Sequence, residues 1–86
     1  MLPFISYVRP AAPAPNIAPS YPGTMDVRDH LPNALHTCVY LWTKSNGRFW
    51  MFPTAILPGD VLVGYQWDRG FWRNFSLSLA DIDAFH

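Results

Sequence analysis

Between residues 37 and 77 short apolar runs alternate with turn residues at strand-like spacing. Four strands are predicted, at about 37–44, 48–57, 61–67 and 71–77. Asn46-Gly47 separates the first two. This dipeptide favours a two-residue type I′ turn, in which both central residues take positive φ. Such a turn pairs Lys44 with Phe49, Thr43 with Trp50, Trp42 with Met51 and Leu41 with Phe52. It groups Val39, Leu41, Trp50 and Phe52 on one face, and Tyr40, Trp42, Phe49 and Met51 on the other. Both faces are apolar, whereas an antiparallel hairpin in a small domain commonly leaves one to water. Each face therefore needs a cover.

Pro53 interrupts the second strand, which calls for an edge position, a bulge or a sharp bend. Pro58-Gly59-Asp60 reads as a turn. At Asp68-Arg69-Gly70 a three-residue loop with Gly70 left-handed gives the cleaner split of polar and apolar positions. It pairs Trp67 with Phe71, Tyr65 with Arg73 and Val63 with Phe75, where a two-residue turn would set Tyr65 opposite Asn74. The two hairpins echo each other: Tyr40-x-Trp42 before Phe49-Trp50, and Tyr65-x-Trp67 before Phe71-Trp72. The echo reads either as a small internal repeat or as two solutions to one packing problem. At the C-terminus Ser78 can cap, and Leu79, Ile82 and Phe85 recur every third residue, so a short helix or 3₁₀ turn is expected to plug one end of the sheet.

Residues 1 to about 35 form a different region and hold seven of the nine prolines. Pro10 to Pro19 is a Pro/Ala tract, for which extended polyproline II is expected. Such a tract builds no core of its own, and a disordered tail is the bland alternative. Leu2, Phe4, Ile5, Tyr7 and Val8, however, give the arm an apolar tip, with Phe4–Val8 long enough for one short strand. Residues 23–35 read as loop or a single helical turn, Met25 to Leu31, capped by Thr24 and closed by Pro32.

Composition narrows the function classes. Eighty-six residues allow one domain, divided into an arm (1–35) and a small β domain (36–86). Formal net charge is zero, with no Glu and one Lys, so the chain lacks the electrostatic footprint of a nucleic-acid binder. Neutrality also does little to keep copies apart. Cys38 is the only cysteine, which excludes an internal disulfide. No signal peptide or membrane-spanning run is visible, so synthesis in the cytosol without membrane insertion is expected.

No nucleophile motif, phosphate loop or zinc spacing is present, and no catalytic residue, metal or cofactor is assigned. His30 with His36-Thr37-Cys38 fits no standard metal site and reads as surface histidines and a buried thiol. Asp81 and Asp83 read as helix-end acids rather than a catalytic pair.

Residues Tyr40-Leu41-Trp42, Gly47-Arg48-Phe49-Trp50-Met51-Phe52-Pro53, Gly64-Tyr65-Gln66-Trp67 and Phe71-Trp72 resemble a group of short proteins of spore-forming Firmicutes. "YLW…GFW…P" and "GYxW" recur in that group, sometimes under a transporter label. The resemblance covers the last fifty residues and not the arm. It implies no activity, and it adds a cell- or spore-surface structural role to the candidates.

The fold class expected is all-β: a small antiparallel sheet or partly open barrel of two hairpins, a short C-terminal helix and an extended Pro-rich arm. A core of about fifty residues rarely supplies more than ~3–5 kcal/mol, and oligomerisation is one usual remedy. Four tryptophans and five phenylalanines lie in that segment. At about 150–250 Å² each they exceed what four strands and a helix can hide. A non-enzymatic, self-assembling subunit is therefore expected, the arm of one copy packing on the β domain of another to give a filament or a closed homo-oligomer. Its interface would comprise Phe4, Ile5, Tyr7, Val8, Tyr40, Trp42, Phe49, Met51 and Trp72, with Asn46, Gly47 and Gly70 defining the turns. The alternative is a module whose aromatic surface binds a Pro-rich peptide or a glycan.

Overall fold

The computed structural model describes residues 9–86. Five antiparallel strands form one open sheet in the order β4-β3-β2-β1-β5. They are β1 (Val39–Thr43), β2 (Arg48–Leu57), β3 (Val61–Asp68), β4 (Phe71–Ser78) and β5 (Ile82–Phe85). A short helix α1 (Val27–His30) runs directly into a 3₁₀ turn (Leu31–Ala34). The helical turn expected near residue 25 is thus present but shifted. Its N-cap is Asp26, not Thr24, and Pro32 lies inside the 3₁₀ turn rather than ending the helix.

Both expected hairpin registers are wrong, in opposite senses. In the first hairpin Tyr40 faces Trp50, Leu41 faces Phe49 and Val39 faces Met51. The chain reverses over a longer loop, and of Asn46 and Gly47 only Gly47 takes positive φ, at 74°. Asp81 is the physical reason. Its carboxylate accepts from Ser45 N (2.9 Å), Ser45 Oγ (2.7 Å) and Asn46 Nδ2 (2.7 Å). Its carbonyl accepts from Lys44 N at 2.7 Å. Thr43 Oγ1 accepts from Asn46 N at 2.9 Å and donates to the Gly47 carbonyl at 2.6 Å, closing the loop from within. In the second hairpin Trp67 faces Trp72 and Tyr65 faces Asn74, across a two-residue Arg69-Gly70 turn with φ of 47° and 99°. The Trp67–Trp72 edge-to-face pair, with ring centroids 5.0 Å apart, is on one side of this ladder. Gln66 Oε1, accepting from Arg73 Nε and Nη2 at 2.9 and 2.8 Å, is on the other. These two cross-strand pairs offset the polar–apolar mixing at Tyr65 and Asn74.

A slip by an odd number of residues moves every side chain to the other face. Phe49 and Met51 therefore join Val39 and Leu41 in the main core, with Leu62 and Leu77 from the second hairpin. Val27, Leu31, Leu79 and Ile82 cover that face, so the compact body reaches back to α1. The C-terminus is also corrected. Only Leu79–Asp81 is 3₁₀, with Ser78 Oγ accepting from Ala80 N at 3.1 Å as a cap. The chain then adds β5 beside β1, pairing Leu41 with Phe85 and Trp42 with Ala84. A fifth strand and α1 bury more than the four strands and plug expected, and the estimated surplus of aromatic surface shrinks accordingly.

Pro53 sits at a bulge, one of the three expected options. Pro53 faces Gly64 and Ala55 faces Val63, leaving Thr54 as the extra residue. The bulge resets the alternation of β2: Ile56 returns to the core face, while Ala55 and Leu57 move to the side that carries the tryptophans.

The Asp81 clamp gives the fold an acid limit. Hydrogen bonds from Ser45 chiefly, then from Asn46, and the nearby Lys44 charge hold the Asp81 carboxyl below its ordinary value. A depressed carboxylate pKa contributes stability above the unfolded-state value of about 3.9 and loses it as pH falls through the lower folded value. Denaturant midpoints should therefore drop as pH falls below about 4, and Asp81→Asn should flatten that part of the profile.

Candidate functional site: a tryptophan face under a proline arm

The face opposite the main core carries all four tryptophans. With Tyr40 facing Trp50, and Trp67 facing Trp72, the alternation along β1–β4 sets Trp42, Tyr40, Trp50, Phe52, Tyr65, Trp67 and Trp72 on this one side. Edge-to-face contacts run along it: Tyr40 with Trp42 at 5.0 Å, Tyr40 with Trp50 at 5.1 Å, and Trp67 with Trp72 at 5.0 Å. The sequence echo is real in this sense: both Tyr-x-Trp pairs, and the Trp of both Phe-Trp pairs, share the face.

The Pro-rich segment lies against this face at both ends. At the β3–β4 end, Pro10-Ala11-Ala12-Pro13 borders a groove of about 320 Å³ with Trp67, Gly70, Phe71 and Trp72. Trp72 Nε1 donates to the Ala12 carbonyl at 2.9 Å. At the β1–β5 end, Tyr21 stacks edge-on against Trp42 at 5.4 Å. Its hydroxyl donates to the Asp83 carboxylate and lies 3.2 Å from Thr24 Oγ1, which donates to the same carboxylate at 3.3 Å. Each end carries a Pro-x-x-Pro repeat, Pro10–Pro13 and Pro19–Pro22. A polyproline segment leaves its carbonyls without internal partners, so an indole N–H above a flat apolar ring suits it on two counts. Between the two anchors the arm is thinly held, and Ile17 is 78% exposed.

Of the expected interface residues, Tyr40, Trp42 and Trp72 lie on this face. Phe49 and Met51 do not; they are buried in the opposite core. Phe4, Ile5, Tyr7 and Val8 lie outside the described residues. Trp50, Trp67 and Tyr21 were missed. The first two fell to the register error, and Tyr21 was read only as part of the 1–35 arm.

Asp83, in β5, carries the arm latch and Asp81, in the 3₁₀ turn, the loop clamp. Cys38, expected to be buried, is exposed. Partial burial nonetheless pushes its thiol up, away from reactive thiolate character. His36, with φ of 66°, precedes β1 rather than sharing a strand face with Cys38. Among the described residues no group of three or more His, Cys, Asp or Glu could hold a metal, and no helix is long and apolar enough to cross a membrane.

Trp72→Phe keeps an aromatic ring but removes the N–H donor together with one ring of the indole. The lost hydrogen bond alone should cost about 0.5–1.5 kcal/mol, and the lost buried volume adds to it. The substitution should also speed cleavage of the 9–22 segment in limited proteolysis while leaving the β domain intact.

No family model, no curated protein and no solved structure matches this chain.

Proposed function

We propose that this chain is a non-enzymatic structural subunit that joins copies by exchange of its proline arm. The arm of one copy takes the seat on the tryptophan face of the next. The observation that carries this reading is the Trp72–Ala12 hydrogen bond within the Pro10–Pro13 seat. It supports a face suited to this chain's own arm. A contact made within one chain can be made identically between two, which is the low-cost route to an exchanged assembly. The arm is suited to exchange: among the described residues it contributes no strand, it is anchored at Ala12 and at Tyr21, and it joins the body near Gly23. Near-zero net charge favours close approach of copies. Head-to-tail exchange gives a closed ring or a filament, according to whether the rotation closes. The likeness to proteins of spore-formers makes the cell or spore surface the first place to look for such an assembly.

Light scattering on the full chain over a concentration series tests this. The expected result is a mass that rises in whole subunits; a monomer mass persisting at high micromolar concentration overturns it. A second reading has support from the same bond. It is made to a main-chain carbonyl, which any proline-rich segment offers, so a foreign peptide could compete for the seat. A saturable change in tryptophan fluorescence with a Pro-Ala-Ala-Pro peptide, and none with an oligosaccharide, would favour that reading over a glycan site.

A further inference from the structure

We propose that the outer edge of β4 pairs with β4 of a second copy, antiparallel about a two-fold axis through Asn74. This surface is separate from the proline seat and needs no exchange of arms. β4 and β5 are the two edges of the sheet. The β5 edge is short and covered. It has four residues, Met25 N donates to the Asp83 carbonyl at 3.4 Å, and Met25 Sδ accepts from Phe85 N at 3.3 Å. β4 has eight residues and pairs with β3 without a bulge. The Arg69-Gly70 turn makes Asp68–Phe71 the closing hydrogen-bonded pair. Bonded pairs then alternate along the ladder: Gln66–Arg73, Gly64–Phe75 and Leu62–Leu77. The main-chain groups of Trp72, Asn74, Ser76 and Ser78 therefore point to the open edge. Among the described residues no other element bonds to them through its main chain.

An open edge is normally blunted by proline, lysine, a bulge or a charge set across it. β4 has none of these devices. Its one charge, Arg73, is turned back onto β3, with Nε and Nη2 at 2.9 and 2.8 Å from Gln66 Oε1 and Nε at 3.6 Å from Asp68 Oδ2. The strand is also complementary to itself. With Asn74 facing Asn74 of the second copy, Trp72 faces Ser76, Phe71 faces Leu77 and Arg73 faces Phe75. Every pair joins residues of one face, as strand alternation requires. Trp72–Ser76 and Asn74–Asn74 are the hydrogen-bonded pairs, giving roughly six main-chain bonds at two per pair. The lone charge meets an aromatic ring rather than its own copy. Phe71, 54% exposed, gains Leu77 as an apolar neighbour. An axis normal to the sheet keeps both tryptophan faces on the same side, so the two sheets continue into one.

Main-chain amide exchange of the full chain, followed residue by residue against protein concentration, tests this. Arg73, Phe75 and Leu77 are bonded to β3 and should be protected at every concentration. Trp72, Asn74 and Ser76 should exchange at open-strand rates when dilute and slow by about tenfold or more at high micromolar concentration. Ser76→Pro removes an outward N–H and no bond to β3, so in that variant Trp72 and Asn74 should stay fast. Wild-type amides that remain fast at high micromolar concentration would overturn the proposal even if the particle mass rises, since that mass would then come from the arm alone. Protection independent of concentration, or protection that survives Ser76→Pro, would overturn it as well, because the edge would then be covered in another way. The Trp72 indole proton, read in the same spectra, follows the proline seat, so the failure of one surface is not mistaken for the failure of the other.

Discussion

Gly64→Ala should cost about 3 kcal/mol, near the upper end of what overpacking usually costs. A Cβ on Gly64 would run into the Phe52 carbonyl oxygen and lie 2.8 Å from Pro53 Cα. Both obstacles are main chain, beside the bulge in β2, so no side chain can swing aside. The change needs no unusual φ; it fails on space alone. Gly47→Ala is the control. Gly47 has φ of 74° but open space around it, so only conformational strain is expected there, about 1 kcal/mol. Urea unfolding of the two variants measures the difference. For a domain of this size the larger loss approaches the whole stability.

Met51→Ala should cost about 2–5 kcal/mol, the range for deleting a fully buried side chain. Met51 is 0% exposed and sits in the main core beside Val39, Leu41 and Leu62. The register expected from Asn46-Gly47 would instead put it on the interface face with Trp42, where truncation would weaken association and spare the fold. Unfolding midpoint and particle mass, measured on the same variant, separate the two. The structure requires the midpoint to fall.

Strand existence was legible because period-2 apolar runs bounded by Gly and Pro mark it, and β2 runs over the residues the pattern indicated, 48–57. The need for a special feature at Pro53 was legible too, since proline cannot complete a ladder. Register was not. Asn46-Gly47 is a local signal, and it was overridden by Asp81, a residue 35 positions away that holds the loop by side-chain and main-chain bonds. At Asp68–Gly70 the opposite happened: a local polarity rule was overridden by a Trp–Trp pair and by Gln66–Arg73, which reward the tighter turn. β5 was hidden because Leu79, Ile82 and Phe85 fit a helical spacing as well as a turn followed by a strand. The tryptophan face therefore came out divided between two sides, although its residues were nearly all named.

The central claim is that the proline arm is the natural cover of this face, and the indole proton of Trp72 reports it most directly. Hydrogen exchange of that proton, followed by NMR in the full chain, should be slow, because the Ala12 carbonyl accepts it at 2.9 Å. Exchange as fast as that of a free indole would mean that the arm does not rest there, and would contradict the account.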